Sequence, residues 1–276
     1  MILQLERKAY ELRMECLKAL YECAIPSGHV GGCFSAAEII SVLYYHTMNL
    51  NPDDPSAEYR DRFILSKGHN CMILYAALAD KGYFDKSLLK TYRGDGSILQ
   101  GHPDANKCPG IELTTGSLGQ GLSLGVGMAL ANRLKKNPCK IYVMMGDGEV
   151  QSGMIWEAAM SAGHYVLNNM ICFIDRNHLE VNGDTEKVMT LEPLEARWES
   201  FGWNALRING HDVQQIIGAI EQAKLSDKPT VIICETIKGK GVSFMENVME
   251  WHAHVITEDV YRDGMCELSA RLEQLK

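Results

Sequence analysis

Apolar positions along the chain form two patterns, a helical periodicity and short continuous runs typical of buried strands. Residues 3–24 carry apolar side chains at spacings of three and four, among them Leu5, Leu12 and Cys23, which predicts an amphipathic helix that ends before Pro26. Further helices are predicted over 69–80, 120–135, 154–167, 191–201, 212–224 and 258–274. Asp212 is a candidate N-cap for helix 212–224.

Short apolar runs rich in β-branched residues separate these helices. They cover residues 63–65, 141–145, 170–174, 205–208 and 230–234. Regular alternation of strands and helices indicates a parallel sheet with helices on both faces. The predicted fold class is therefore α/β, with a doubly wound, mostly parallel sheet. Because no repeat, low-complexity tract or Pro/Ser-rich linker interrupts residues 1–276, we expect a single domain.

Composition and charge narrow the range of functions. The chain has 276 residues and a formal net charge of −8, without a run of basic residues, so nucleic acid is not an expected partner. Glu6, Arg7 and Lys8 interrupt the apolar positions near the start, which argues against a signal peptide or a membrane span and favours the cytoplasm. Nine cysteines without a CxxC pair are expected to be reduced and mostly buried.

Polar residues follow two of the predicted strands at the edge where ligands bind in open α/β sheets. Asp147 lies in Gly146-Asp147-Gly148 directly after run 141–145, and Asn177 follows run 170–174. Mg²⁺ prefers oxygen ligands and usually takes few protein side chains. The glycines would let the backbone approach a diphosphate, and the start of helix 154–167 would favour an anion. A Gly-Asp-Gly turn alone is more often a helix cap, but its pairing with Asn177 favours a metal–diphosphate site.

Three histidines lie beside glycines in turns rather than on an apolar helix face. They are His29, His69 and His102. A single histidine is more often structural, but together they are expected to converge on one polar ligand. Residues 116–121 superficially suggest a phosphate loop, yet their pattern is GxxGxG rather than GxGxxG, and no GxxxxGK[ST] element is present, so NAD or ATP binding is not expected.

These motifs, in this order and spacing, resemble the N-terminal part of transketolases. The matching segments are Ser27–Gly31, Leu65–His69, Gly101–Pro103, Thr114–Gly121, the Gly-Asp-Gly turn with its distant Asn177, Thr236–Gly241 and Trp251-His252. The resemblance extends over nearly the whole chain. It implies the thiamine-diphosphate-binding fold, with this chain as its diphosphate-binding domain.

The resemblance also implies cofactors and residue roles. The cofactors would be thiamine diphosphate and Mg²⁺, with Ca²⁺ or Mn²⁺ as possible substitutes. The implied catalytic residues are His29, His69, His102 and His252, and the implied metal ligands are Asp147, Asn177 and the main-chain carbonyl of Leu179. The implied cofactor contacts are Lys67, His69, Gly116, Leu118, Asp147, Gly148, Asn177, Leu179 and Lys238. An alternative for Lys67 is pairing with Asp61 or exposure to solvent.

The implied activity is transfer of a two-carbon ketol unit from a ketose phosphate, or a related ketose, to an aldose acceptor through a thiamine-diphosphate carbanion. Complete transketolases are much longer and carry a pyrimidine-binding domain that this sequence lacks. We therefore expect the N-terminal subunit of a split transketolase, active with a C-terminal partner subunit in a heterotetramer. The alternatives are a noncatalytic or regulatory subunit, or one chain of a 2-oxo-acid dehydrogenase or of a deoxyxylulose-phosphate-synthase-like enzyme.

Two departures from the family pattern concern communication and specificity. Ser152 stands where many members have a glutamate of a network that links two active sites, although Glu157 matches another member of that network. Ala253 stands where a glycine is usual, in a loop over the substrate. The donor sugar therefore stays open between ordinary pentose-phosphate sugars and an unusual or sulfonated ketose.

Overall fold

The predicted apolar runs form the central sheet of the computed structural model, which describes residues 1–275. The strands are β1 (Ser27–Gly28), β2 (Arg62–Leu65), β3 (Ile141–Gly146), β4 (Met170–Arg176), β5 (Leu179–Glu180), β6 (Gly183–Asp184), β7 (Asn204–Asn209), β8 (Thr230–Glu235) and β9 (His254–Val255). The five longer strands pair in parallel in the order β2-β3-β4-β8-β7. The short strands form two small antiparallel pairs, β1 with β9 and β5 with β6.

Helices cover both faces of this sheet. They are α1 (Ile2–Glu22), α2 (Val30–Ser35), α3 (Ala37–Val42), α4 (Cys71–Asp80), α5 (Gln120–Leu134), α6 (Asp147–Val150), α7 (Gly153–His164), α8 (Thr185–Val188), α9 (Leu194–Ser200), α10 (Val213–Leu225) and α11 (Glu258–Gln274). Short 3₁₀ segments cover Gly68–Asn70, Lys86–Thr91 and Met249–His252, and Leu43–Thr47 is π-helical. The α/β, doubly wound fold class predicted from the pattern is confirmed.

Side chains of the central strands alternate between two apolar clusters, because successive residues of a strand point to opposite faces. On β3, Tyr142 and Met144 join a cluster with residues of α1, α3, α4 and α10. Val143 and Met145 join a second cluster with residues of α5, α7 and α9. Burial on both faces explains why the sequence shows continuous apolar runs instead of alternation at these strands.

The predicted helices are all present, and α11 has the predicted bounds whereas the others have shifted ends. The first spans Ile2–Glu22, and the Asp212 side chain caps α10 by accepting a hydrogen bond from the Gln215 backbone N–H. Helix α4 begins at Cys71, so His69 lies in the preceding 3₁₀ turn. The segment 30–47, which contains α2 and α3, was not predicted. It is almost wholly buried up to Tyr44, so it lacks the polar stripe that reveals a surface helix.

The register of the sheet aligns the turns that follow its strands. Gly146 of β3 lies opposite Asp175 of β4, and Arg176 lies opposite Glu235 of β8. Asp147, Asn177 and the segment after Glu235 therefore emerge side by side at the carboxyl edge.

Two expectations about the whole chain are also addressed by the structure. The cysteines are free, and eight of them are buried whereas Cys266 is exposed. Between residues 1 and 275, no helix combines the length and apolarity required to cross a membrane.

Candidate active site

A cavity of about 350 Å³ opens at the carboxyl edge of the sheet. The segments that follow β2, β3, β4 and β8 surround it, as expected for an open α/β sheet. The twelve predicted site residues all line this cavity: His29, Lys67, His69, His102, Gly116, Leu118, Asp147, Gly148, Asn177, Leu179, Lys238 and His252. Their common location agrees with a single site, and their individual roles stay predictions.

Asp147 presents a buried carboxylate to one side of the cavity. Its side chain lies at the first position of α6, accepts hydrogen bonds from the backbone N–H groups of His178 at 2.7 Å and Gly148 at 2.8 Å, and faces the Arg176 guanidinium at 3.4 Å. Burial, together with the nearby charge of Asp175, raises the pKa of Asp147 above its ordinary value. The helix that begins at this turn is the short α6, which the sequence pattern does not predict, and the expected helix 154–167 follows it as α7.

Lys238 links the predicted metal ligands to the histidines. Its ammonium donates to the main-chain carbonyl of Leu179 at 2.7 Å and lies 3.1 Å from Nδ1 of His252. The side chain is buried, and burial lowers the pKa of Lys238 to about 8. A cationic group therefore already lies against one of the three oxygen groups predicted to hold Mg²⁺.

The residues around Asp147 fit a hard divalent cation. Within residues 1–275, no group of three or more His, Cys, Asp or Glu side chains is arranged around a common metal position. A metal at this site would therefore depend on Asp147 with the amide oxygen of Asn177 and the carbonyl of Leu179, a mixed oxygen set that suits Mg²⁺ completed by phosphate oxygens and water. The hairpin of β5 and β6 lies against the same turn, since a Cβ on Gly148 would be 3.1 Å from the Cβ of Glu180.

Three histidine rings pack against one another in the same cavity. The ring centroids of His29 and His69 are 5.0 Å apart, and that of His252 lies 5.4 Å from His29 and 5.3 Å from His69. Burial is the main cause that lowers the pKa of His29 to about 4, of His69 to about 2 and of His252 to about 3, assisted by neighbouring positive charges. All three imidazoles are therefore neutral near pH 7.

His102 borders the cavity from a separate loop. Its ring packs on Gly116, where a Cβ would lie 2.9 Å from the His102 ring and where the backbone has a φ of 149°. Only glycine suits this combination of close approach and conformation. Burial, and then the charge of Arg93, lower the pKa of His102.

Lys67 forms a buried ion pair that the sequence did not reveal. Its ammonium donates to the carboxylate of Asp175 and to the carbonyl of Gly32. The alternative of pairing with Asp61 is wrong, because both Asp61 carboxylate oxygens accept backbone N–H groups elsewhere and Lys67 is not exposed. Although burial alone would raise the pKa of Asp175, the charge of Lys67 and the hydrogen bonds from Lys67, Ser35 and Thr236 hold it below its usual range.

Sequence reasoning also missed Glu149 and Asn70, which line the cavity. The Glu149 carboxylate accepts hydrogen bonds from Ser66, from the Gly119 N–H at 2.8 Å and from the Gly146 N–H at 3.1 Å. It therefore connects the segment after β2, the residue before α5 and the end of β3. The Asn70 amide donates to the His29 carbonyl at 3.1 Å, and its buried Oδ1 has no partner within the described residues. Neither Glu149 nor Asn70 belongs to a recognisable motif of its own. Each only lies within two residues of a motif residue.

The two departures from the family pattern lie outside the residues that line the cavity. Ser152 precedes α7, and a Cβ added to Gly119 would lie 3.2 Å from the Cβ of Ser152. Glu157 is exposed on α7. Ala253 connects the turn Met249–His252 to β9. The expected effects of Ser152 and Ala253 on communication and donor choice stay predictions.

Comparison with known proteins assigns the family. The model described as "Transketolase, thiamine diphosphate binding domain" matches residues 9–263. One chain of the apulose-4-phosphate transketolase of Phocaeicola vulgatus, named as a subunit of that enzyme, is 42% identical over 99% of this chain and 96% of its own length. The 6-deoxy-6-sulfo-D-fructose transketolase subunit SqwG of Clostridium sp. is 43% identical over 96% of each chain.

Solved structures agree with the sequence comparison. The crystal structure of transketolase from Campylobacter jejuni matches with a TM-score of 0.90 and 33% identity over all of this chain. This chain spans only 46% of that structure, and 43% of the rat transketolase to which it is 37% identical. These relatives are named as transketolases or their subunits, which does not favour the dehydrogenase, synthase or noncatalytic alternatives. From its motifs, its fold and these matches, the chain belongs to the transketolase family and corresponds to the N-terminal, thiamine-diphosphate-binding part.

Proposed function

We propose that this chain is the N-terminal subunit of a two-subunit transketolase, which transfers a two-carbon ketol unit from a ketose phosphate, or a related ketose, to an aldose acceptor. The observation that carries this proposal is the convergence of four histidines with the Asp147–Asn177 oxygen cluster around one cavity. Relatives named as subunits of transketolases for apulose 4-phosphate and for a sulfonated fructose, each at 42–43% identity, support it. Their names differ in the sugar, so for this chain the donor stays open between a pentose-phosphate sugar and an unusual or sulfonated ketose.

The oxygen cluster would hold the cofactor's metal and diphosphate. We assign Asp147, Asn177 and the Leu179 carbonyl to Mg²⁺, and the Gly148 backbone and Lys238 to the diphosphate. The mixed oxygen set and the buried ammonium of Lys238 support this assignment. Thiamine diphosphate, when bound, supplies an electron sink for the cleavage of a carbon–carbon bond.

The cavity wall would contact the remainder of the cofactor. We assign Gly116, Leu118 and His69 to contacts with its rings. The 44% exposure of the apolar Leu118 side chain at the cavity supports this assignment. Lys67 would also lie close to the cofactor, although its ammonium is already bound by the carboxylate of Asp175.

The histidines would orient the sugar and move its protons. Because His29, His69 and His252 have lowered pKa values, they are neutral near pH 7. A neutral imidazole accepts the proton of a sugar hydroxyl at one ring nitrogen and donates a hydrogen bond to a carbonyl oxygen through the other. We place His102 at the same sugar from its separate loop.

A partner chain would complete the enzyme. We propose a C-terminal subunit that carries the pyrimidine-binding domain, with two copies of each subunit in a heterotetramer. The subunit names of the two relatives support a partner of this kind. We further propose that residues 1–276 form one domain, of which Lys276 lies outside the described residues.

The test is calorimetric binding of thiamine diphosphate with and without Mg²⁺, for this chain alone and mixed with its C-terminal partner. Asp147→Asn removes one negative charge from the metal site without changing the side-chain size. We expect Mg²⁺-dependent binding in the wild type and at least about tenfold weaker binding in Asp147→Asn. The control Asp227→Asn alters an exposed aspartate outside the cavity and should bind as the wild type does. The proposal would be contradicted if Asp147→Asn bound thiamine diphosphate as tightly as Asp227→Asn, or if no preparation bound it.

A further inference from the structure

His211 follows β7 and contacts the loop that carries Lys238. Its Nε2 accepts the backbone N–H of Ile237 at 2.8 Å, and Ile237 directly precedes Lys238. Its Nδ1 lies 2.9 Å from a carboxylate oxygen of Glu38. The His211 side chain is only 11% exposed, so water competes little for these two contacts. The histidine therefore joins a buried carboxylate to the residue before a cavity lysine.

The two contacts fix the tautomer of the His211 ring. A backbone N–H can only donate, so Nε2 accepts and carries no hydrogen. Nδ1 therefore bears the hydrogen of the neutral ring and donates it to the Glu38 carboxylate. Because each ring nitrogen has one specific partner, a flipped imidazole would lose both hydrogen bonds.

A buried arginine holds Glu38 in place. Arg13 binds the two oxygens of the Glu38 carboxylate at 2.7 Å and 2.6 Å, and it also donates to the Phe34 carbonyl. Burial by itself would raise the pKa of Glu38, but the charge of Arg13 and the hydrogen bond from His211 lower it to about 2. The carboxylate is therefore ionised near pH 7, and the two-point contact with Arg13 makes it a fixed acceptor for His211.

Ile237 lies where the hydrogen-bond ladder of the sheet ends. The last residue of β7, Asn209, lies opposite Glu235, the last residue of β8. The N–H of Thr236 still donates to a carbonyl of β4 at 3.0 Å. The next N–H, that of Ile237, faces the other side, where β7 has ended. Nε2 of His211 therefore takes the place of a strand carbonyl.

Three hydrogen bonds fix the backbone around Lys238. The first joins Ile237 to His211. In the second, the Lys238 carbonyl accepts a backbone N–H at 2.9 Å, and in the third, the Gly239 N–H donates to the Gly31 carbonyl at 2.9 Å. Of these three, only the first depends on a side chain, so a substitution of His211 removes it without altering the loop sequence.

We propose that His211 is a positioning residue for the diphosphate site, which holds Lys238 in place by accepting the N–H of Ile237. This inference rests on the proposed binding of thiamine diphosphate. Without the acceptor, the Ile237 N–H would lose its partner and the backbone before Lys238 would be less constrained. A lysine has a flexible four-carbon stem, so the cost of holding its ammonium in one place depends on how firmly its backbone is fixed. His211 would thus strengthen cofactor binding without touching the cofactor.

The test compares His211→Gln with His211→Asn in the enzyme reconstituted with its C-terminal partner. The longer glutamine places an oxygen near the position of Nε2 and can accept the Ile237 N–H, whereas the shorter asparagine reaches only toward Glu38. Calorimetry with Mg²⁺ present measures the binding of thiamine diphosphate. We expect about tenfold weaker binding in His211→Asn and at most about threefold weaker binding in His211→Gln.

Steady-state kinetics separate positioning from general damage to the site. In His211→Asn, the apparent KM for thiamine diphosphate should rise about tenfold, whereas kcat at saturating cofactor and the KM for the ketose should change less than about twofold. The control His46→Asn alters an exposed histidine of the π-helical segment and should behave as the wild type does.

A double-mutant cycle with Lys238→Gln tests the route of the effect. Since His211 is proposed to act through Lys238, His211→Asn should weaken cofactor binding by less than about twofold once Lys238 has been replaced. A full tenfold loss in the Lys238→Gln background would show that His211 acts elsewhere and would overturn this role.

The outcomes distinguish this inference from the proposed function. Wild-type affinity for thiamine diphosphate in His211→Asn, or equal losses in His211→Asn and His211→Gln, would also overturn the role of His211, while the proposed cofactor site stands. Absence of thiamine-diphosphate binding by the reconstituted wild type would overturn the proposed function, and this inference with it.

Discussion

The ammonium of Lys67 and the carboxylate of Asp175 form an ion pair across 108 positions of sequence, with both side chains almost fully buried. Lys67 follows β2 and Asp175 belongs to β4, so the pair spans the end of β3, which lies between these strands. Ser35 and Thr236 donate further hydrogen bonds to the same carboxylate. This one aspartate therefore connects four segments that surround the cavity.

Neutralising Asp175 should destabilise the protein strongly. In Asp175→Asn, the buried Lys67 ammonium loses its counter-charge, which we expect to lower the free energy of unfolding by about 3–5 kcal/mol. Urea denaturation monitored by circular dichroism measures this change. The control Asp259→Asn alters an ion pair that is exposed on α11 and should change the stability by less than about 0.5 kcal/mol. Similar stabilities of the two variants would mean that the buried pair is not required.

A methyl group at Gly148 should interfere with the cofactor without weakening the fold. The Cβ of Gly148→Ala would lie 3.1 Å from the Glu180 side chain and would line the cavity, so we expect about tenfold weaker binding of thiamine diphosphate or more. The residue lies within α6, where alanine favours the helical backbone, so the free energy of unfolding should not fall. Calorimetry and urea denaturation of the same preparation measure the two effects.

Gly218→Ala is the matched control for this substitution. Gly218 lies within α10, and a Cβ there would contact nothing within 4 Å. We expect the control to raise the free energy of unfolding by about 0.5–1 kcal/mol and to leave cofactor binding unchanged. If Gly148→Ala binds the cofactor as tightly as Gly218→Ala does, the diphosphate does not approach the backbone at Gly148.

The buried histidines should make the protein less stable in mild acid. The pKa of His69 is lowered from 6.5 to about 2 by burial and by the charge of Lys67. As the pH falls below 6.5, the unfolded chain therefore binds more protons than the folded protein, and stability is lost. We expect His69 alone to account for a decrease of about 1–2 kcal/mol between pH 6.5 and about 5.

Urea denaturation across this pH range measures the effect. The variant His69→Gln cannot be protonated at this position, so its stability should depend less steeply on pH than that of the wild type. His164→Gln, which alters a histidine at the end of α7 outside the cavity, should keep the wild-type dependence. Parallel curves for the wild type and His69→Gln would show that His69 is not held neutral by its surroundings.

The candidate site was predictable to the extent that its residues occur in short local motifs. Asp147 and Asn177 follow apolar runs, and His29, His69 and His102 lie beside glycines, so each carries a signal within a few residues of itself. Because parallel strands end at a common edge, such signals predict a shared location even without coordinates. In the structure these residues line one cavity.

Contacts that join distant segments left no such signal. The partner of Lys67 could be found only once the register placed Gly146 opposite Asp175. Glu149, which accepts hydrogen bonds from Ser66 and Gly119, and Arg93, which donates to Ser27, depend in the same way on loops brought together by the fold.

The longer helices and strands, the α/β class and the chemical types of the residues at the strand ends could be predicted from the sequence alone. These properties follow from side-chain periodicity and backbone preferences, which act over a few residues. Which charges pair, and which histidines have their pKa lowered by burial, depended on the tertiary structure. Those outcomes depend on strand register and on exclusion of water, which are properties of the packed chain as a whole.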